Sequence, residues 1–171
     1  MSAADLALLE GAIRSFGEAV RVHSGGRLEI DGTTRIVEEP LDRLSGSGRA
    51  RLAWIDATAD RIAGEVHEGE VDSVFVFWKS GDVPVGAYWG GSGGAVANGA
   101  GYTSIAVLDR PDVAGRTYDQ VVLHEWLHQV EWALASRMGE FGLPAVHDGE
   151  AMGYDREAAW LADFLTVYVA P

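Results

Sequence analysis

The sequence predicts a single α+β domain in which a small mixed or antiparallel sheet packs on helices. The chain has 171 residues, 47% of them hydrophobic, and this length and composition suit one domain with one core. Apolar residues recur at helical spacing in four separate segments. Short segments dense in β-branched and aromatic residues lie between them and favour strands. No repeat or linker indicates a second domain, so residues 1–171 are predicted to form one.

The N-terminal half is predicted to contain two helices and three strands. Apolar residues three or four positions apart predict a first helix over residues 4–22 and a second over about 48–66. Between them, Asp31-Gly32 is a hairpin turn signal within RLEIDGTTRIVEE, residues 27–39, and predicts two short strands. The stretch VDSVFVFW, residues 71–78, is dense in β-branched and aromatic residues and predicts a buried strand.

The C-terminal half is predicted to contain a glycine-rich loop or hairpin, a strand and two helices. Seven of the sixteen residues over 86–101 are glycine, and neither the GxGxxG nor the GK[ST] pattern of a phosphate-binding loop is present. We therefore expect this segment to lie beside a cleft, with its backbone close to a ligand. Residues 102–109 are predicted to form a strand, and residues 118–138 and 155–169 to form helices.

Charge and composition narrow the classes of ligand. The formal net charge is −13 at pH 7, and Lys79 is the only lysine. A chain without a basic patch cannot neutralise phosphates, which argues against nucleic acid and against an anionic membrane surface as partners. The absence of cysteine excludes disulfides and thiolate metal sites, so any metal must be bound by His, Asp or Glu. The start MSAADLALLEG is a poor signal peptide, and both a cytoplasmic location and secretion after removal of a leader stay open.

The predicted third helix carries VVLHEWLHQVEWAL, in which His124 and His128 are four residues apart and Glu125 follows the first. Residues four apart face the same side of a helix, so both imidazoles can reach one metal ion. Zinc lowers the pKa of a bound water towards neutrality, and Glu125 lies close enough to accept that proton. An apolar stripe at helical spacing gives the helix a buried side, formed by Leu123, Leu127, Val130 and Leu134. The alternative interpretation is an amphipathic helix whose two histidines bind no metal.

The H-E-x-x-H pattern over residues 124–128, together with the order of elements, resembles the catalytic core of zincin metallopeptidases. The resemblance covers most of the chain in layout but only residues 121–154 in motif. It implies a zincin-like fold and a zinc-dependent endopeptidase with one zinc ion per chain and a peptide or protein substrate. His124 and His128 match the zinc ligands, and Glu125 matches the general base.

A catalytic zinc usually has three protein ligands, and the motif supplies only two. The metzincin pattern HExxHxxGxxH is not present, because Glu131 and Leu134 stand at the positions of its glycine and third histidine. His147 is the favoured third ligand, because imidazole is the commonest zinc ligand and a lone loop histidine has no obvious core role. The carboxylate alternatives, two of which would give a gluzincin-like ligand set, are Asp148, Glu150 and Glu157.

Two further features of the site are expected. Tyr154, within a Met152-Gly153-Tyr154 sequence similar to the metzincin Met-turn, is a candidate donor to the oxyanion of the tetrahedral intermediate, and its alternative role is to anchor the last loop. The substrate is expected to lie extended along an edge strand near residues 102–108.

The alternative function is a non-catalytic zinc-binding module that uses the same scaffold for interaction alone. A closed site of four ligands would indicate it, for instance His124, His128, His147 and Asp148. The presence of Glu125 argues against this function, because a structural zinc site needs no base at that position.

Overall fold

The computed structural model describes residues 1–47, 50–79, 89–108, 112–113, 115–138, 146–147 and 157–169. The helices are α1 (Ala3–His23), α2 (Ile55–Glu65), α3 (Tyr118–Met138) and α4 (Glu157–Phe164), and α4 continues as a π-helical turn over Leu165–Val169. The strands are β1 (Ser45–Ser47), β2 (Ala50–Leu52), β3 (Ser73–Trp78), β4 (Trp89–Ala97), β5 (Ala100–Ala106), β6 (Asp112–Val113) and β7 (Arg116–Thr117). This mixture of helices and small sheets confirms the predicted α+β class.

Helix α1 confirms the first predicted helix and shows why it starts where it does. Ser2 caps the helix by accepting from the Asp5 backbone N–H, and the Asp5 carboxylate accepts in return from the Ser2 backbone N–H at 2.6 Å. This reciprocal capping satisfies donors that the first turn of a helix leaves without partners. The buried face of α1 consists of Leu9, Ala12, Phe16 and Val20.

The Asp5 carboxylate also joins the start of α1 to the end of β3. Lys79, which follows β3 directly, donates to Asp5 Oδ2 at 3.2 Å. The hydrogen bonds from Ser2 and the neighbouring Lys79 ammonium lower the pKa of Asp5 from its ordinary value of 3.8 to about 2. Two elements that lie far apart in sequence are therefore held together by one ionised carboxylate.

We expect Asp5→Asn to destabilise the protein at neutral pH and to lose this effect in acid. The folded-state pKa lies below the unfolded value, so the contribution of Asp5 is fully present above pH 3.8 and disappears as the pH falls towards about 2. Urea midpoints measured from pH 7 down to pH 2 should converge for wild type and variant within that window. Asp31→Asn, an exposed aspartate changed in the same way, is the control. A constant difference between wild type and Asp5→Asn at every pH would contradict this role.

The central sheet has the strand order β3-β5-β4, with β3 parallel and β4 antiparallel to β5. The strand predicted over residues 71–78 is confirmed as β3. The glycine-rich segment supplies β4 and the turn to β5, where Asn98 and Gly99 both have positive φ, as two-residue hairpin turns require. The hairpin expectation is thus confirmed over 89–101, while residues 86–88 lie outside the described residues.

The prediction of an edge strand near residues 102–108 is wrong, because β5 is the central strand of the described sheet. Strand β3 pairs along one side of β5 and β4 along the other, which occupies the backbone groups on both sides. Five consecutive residues of β5, from Tyr102 to Ala106, are buried. A substrate strand cannot add to β5.

The hairpin predicted over residues 27–39 is also wrong, because residues 28–44 form no strand. Leu28 and Ile30 pack on the main core, and the Ile30 side chain lies close to Gly17 of α1. By contrast, Ile36 and Val37 are 63% and 47% exposed. Ile36 and Val37 thus gain little burial that would stabilise a second strand at this position.

The remaining helix predictions are confirmed, the second helix with changed boundaries. The second helix begins at Ile55, because residues 50–52 pair with β1 as β2. Helix α3 has the predicted limits, and the last helix is described from Glu157. No helix among the described residues is long and apolar enough to cross a membrane.

The main core lies between α1, α3, α4 and the sheet. It includes Phe16 and Val20 from α1, Val121 and Leu127 from α3, and Trp160 from α4. Helix α3 packs on α1 and on β4, and the Phe16 and Trp126 rings meet edge to face with centroids 5.6 Å apart. The apolar face of α3 is therefore turned into the core, and this fixes where its histidines lie.

Candidate metal centre

Helix α3 brings His124, Glu125 and His128 into the protein on one short stretch. Val121, Val122 and Leu127 are buried in the core and hold the helix in place. At its start, the Tyr118 hydroxyl accepts from the Leu108 backbone N–H at 2.8 Å, which joins α3 to the end of the central strand. His124 and Glu125 are each only 4% exposed, and His128 is half-buried.

The imidazoles of His124 and His128 converge, as their spacing predicts. Their Nε2 atoms lie 3.2 Å apart, and their ring centroids lie 4.7 Å apart. Two nitrogens on a tetrahedral zinc, each about 2.0–2.1 Å from the ion, would be separated by about 3.3 Å. The observed separation of the two Nε2 atoms therefore fits a shared metal ion.

His147 joins this pair from a different part of the chain. Its ring centroid lies 5.1 Å from that of His124 and 4.6 Å from that of His128. One ligand atom from each of the three residues lies within 4.8 Å of the other two, which is close enough for all three to hold one ion. Among the described residues these three form a group that could bind a metal.

The other predicted site residues cannot be compared with the structure. Tyr154, Asp148 and Glu150 lie outside the described residues. Glu157 is the first residue of α4, but its side chain is not among those described.

Glu125, the residue after His124 on α3, is a buried carboxylate. Its Oε2 atom has no hydrogen-bond partner among the described residues. Burial raises the pKa of Glu125 to about 7, while the positive charge of Arg116 opposes that rise. A buried carboxylate without a partner is costly, and a cation bound by the adjacent histidines would reduce that cost. The arrangement thus fits a site built to receive a positive ion.

Glu131 is a site residue that the sequence analysis did not assign. Its Oε2 atom lies 3.2 Å from His128 Nδ1, the ring nitrogen opposite the one that faces His124. A carboxylate in this position orients a metal-binding imidazole and fixes which nitrogen carries the proton. The spacing of Glu131, three residues after His128 on one helix, was the signal that could have identified it.

Gln129, the residue after His128, holds α3 against the sheet. The Gln129 side chain donates to the Thr103 hydroxyl at 2.9 Å and accepts from the Ser73 hydroxyl at 2.6 Å. Gln129 is 5% exposed, and its bond to Thr103 is buried while its bond from Ser73 is partly buried. The backbone of Gly101 lies directly against this amide, and only a residue without Cβ permits so close an approach.

We expect Gly101→Ala to destabilise the protein by about 1–3 kcal/mol, because it overpacks this contact and disturbs the two hydrogen bonds of the Gln129 side chain, one of which is buried. The new Cβ would lie 2.8 Å from Gln129 Cδ, too close without displacement of that side chain. Gly64→Ala is the matched control, because nothing lies within 4 Å of a Cβ added at that position in α2, and it should stabilise by about 0.5–1 kcal/mol. Urea denaturation measures both. Equal stability of Gly101→Ala and wild type would show that the close contact with Gln129 does not contribute to the free energy of unfolding.

Comparisons of the chain with protein-family models, with curated proteins and with solved structures found no match. The functional assignment therefore depends on the residues of this site and their arrangement.

Proposed function

We propose that this protein is a zinc-dependent metalloendopeptidase with a zincin-like catalytic core. In this function His124, His128 and His147 hold one zinc ion, and Glu125 is the general base. The observation that carries the proposal is the convergence of three imidazoles from two separate parts of the chain, with ligand atoms within 4.8 Å of one another. The buried Glu125, which follows His124 in the chain, supports it.

Two features of the site favour catalysis over a purely structural role for the metal, and a third favours zinc as the metal. Among the described residues three ligands are grouped, and a zinc ion held by these three alone would keep a fourth position for water or substrate, as in catalytic zinc sites. Imidazoles suit zinc better than the hard cations magnesium and calcium, which prefer oxygen ligands. Glu125, the residue after His124, adds a buried carboxylate whose pKa is raised to about 7, which suits a group that accepts and returns a proton near neutral pH.

Three side chains, those of Glu125, Glu131 and Tyr154, have proposed roles in peptide hydrolysis. A bound zinc ion would make a water molecule more acidic and polarise the scissile carbonyl. Glu125 accepts the proton of the attacking water and delivers it to the departing amine nitrogen. Glu131 keeps the His128 ring oriented through Nδ1, so that Nε2 stays available as a ligand. Tyr154 is proposed to donate a hydrogen bond to the oxyanion that forms at the attacked carbonyl.

The substrate segment is proposed to bind along β4 rather than β5. Strand β4 lies at the edge of the described three-stranded sheet, is antiparallel to β5, and packs against α3, the helix that carries the motif. An extended peptide can add to such an edge through backbone hydrogen bonds, which are independent of sequence. The glycines of β4 suit this use because they let another backbone approach closely.

The test combines metal content with hydrolysis. After exhaustive dialysis, we expect about one zinc per chain, and hydrolysis of a mixed peptide library that a chelator stops and added zinc restores. No zinc in the purified protein, even after reloading, would overturn the proposal. Bound zinc without hydrolysis of any peptide or unfolded protein substrate would indicate the non-catalytic zinc-binding module instead.

A further inference from the structure

We propose that Trp160 is a positioning residue for His147, the third metal ligand, and that it acts through the backbone of Val146. This inference rests on the proposed metal site. Trp160 lies on α4, is 1% exposed, and donates from its indole Nε1 to the Val146 carbonyl oxygen at 2.7 Å. Val146 is the residue immediately before His147.

The hydrogen bond from Trp160 to Val146 connects the segment that carries His147 to the main core. His147 itself is exposed, whereas the Val146 side chain is 1% exposed and packs in the main core. The Trp160 ring is held in turn by Phe164, one helical turn further along α4, with ring centroids 5.6 Å apart. An exposed histidine thus follows a residue that is fixed at both its side chain and its carbonyl group.

This anchoring matters because His147, unlike His124 and His128, is not positioned by α3. Their spacing on one helix sets the relation of those two imidazoles. The position of His147 relative to them depends on how its own segment is attached to the core. A ligand held in place before the metal arrives loses less conformational freedom on binding, so a fixed Val146 carbonyl strengthens metal affinity.

The test compares Trp160→Phe with Trp78→Phe. Trp78 is also buried, and its indole N–H donates to the Ser104 hydroxyl at 2.9 Å within the sheet, so both variants remove one buried indole donor and keep an aromatic ring. We expect Trp160→Phe to weaken zinc binding about tenfold, measured by competition with a chromophoric chelator, and to change the cobalt(II) absorption spectrum. Trp78→Phe should lower thermal stability and leave zinc affinity within about twofold of wild type.

A variant pair locates the effect at His147. In a His147→Ala background, Trp160→Phe should cause no additional loss of zinc affinity, because the residue through which Trp160 acts is gone. An equal further loss in that background would overturn the proposal, as would zinc affinity of Trp160→Phe equal to that of Trp78→Phe. Failure of the wild type to bind zinc would instead contradict the proposed function itself, so the two failures are distinguishable.

A second measurement applies if Trp160→Phe does not fold. In wild-type protein, zinc should slow hydrogen exchange of the Trp160 indole N–H more than that of Trp78, because coupling between metal binding and this hydrogen bond must be reciprocal. Equal effects of zinc on the two indole protons would refute the role of Trp160.

Discussion

Changing Glu125 to glutamine is expected to lower peptide hydrolysis by about 10²–10⁴-fold while zinc content stays at one ion per chain. Glutamine keeps the size of the side chain but cannot accept the proton of the attacking water. Glu125 follows His124 in the chain but is not part of the histidine group that could hold the ion, so the metal should remain. The measurements are kcat/KM on one peptide substrate and zinc by elemental analysis on the same samples.

The control for this variant is Glu10→Gln, which makes the same chemical change at an exposed position on α1. It should leave both hydrolysis and zinc content at wild-type values. Hydrolysis by Glu125→Gln within about threefold of wild type would remove Glu125 from the reaction, because a general base contributes far more than that. Loss of zinc together with activity would mean that the carboxylate holds the metal rather than the proton.

Changing His147 to alanine is expected to weaken zinc binding by more than about 100-fold. Removing a ligand should exceed the 10–100-fold loss that follows removal of an outer partner of a ligand. The His147 ring lies within 5.1 Å of the His124 ring centroid and 4.6 Å of the His128 ring centroid, and no other described His, Asp or Glu side chain joins this group. Zinc affinity by competition with a chelator, and activity at saturating zinc, are the two measurements.

His67→Ala is the matched control, since it removes an exposed imidazole beyond the end of α2 and should leave zinc affinity unchanged. Full retention of zinc affinity by His147→Ala would transfer the third ligand to a carboxylate. The candidates are Asp148, Glu150 and Glu157, each of which can then be changed to its amide. That result would leave the His124 and His128 pair as the core of the site.

The sequence by itself determined the features that depend on short-range periodicity. The placement of His124 and His128 on one side of α3 follows from local geometry, because four residues along a helix make slightly more than one turn. The amphipathic helix α1 and the β-branched strand β3 were equally predictable from their own residues. A local signal did not always suffice, because the turn signal at Asp31-Gly32 predicted a hairpin over residues 27–39 that does not form.

Only the tertiary structure decided which elements meet. The sequence offered a loop histidine and three carboxylates as the third ligand, and it is the folding of the chain that brings His147 to the pair on α3. The sequence of β5 likewise does not show that a strand pairs on each of its sides. The lack of a Cβ at Gly101 matters only because the Gln129 side chain packs against it. Contacts between residues distant in the chain are set by packing and strand pairing, which no local pattern encodes.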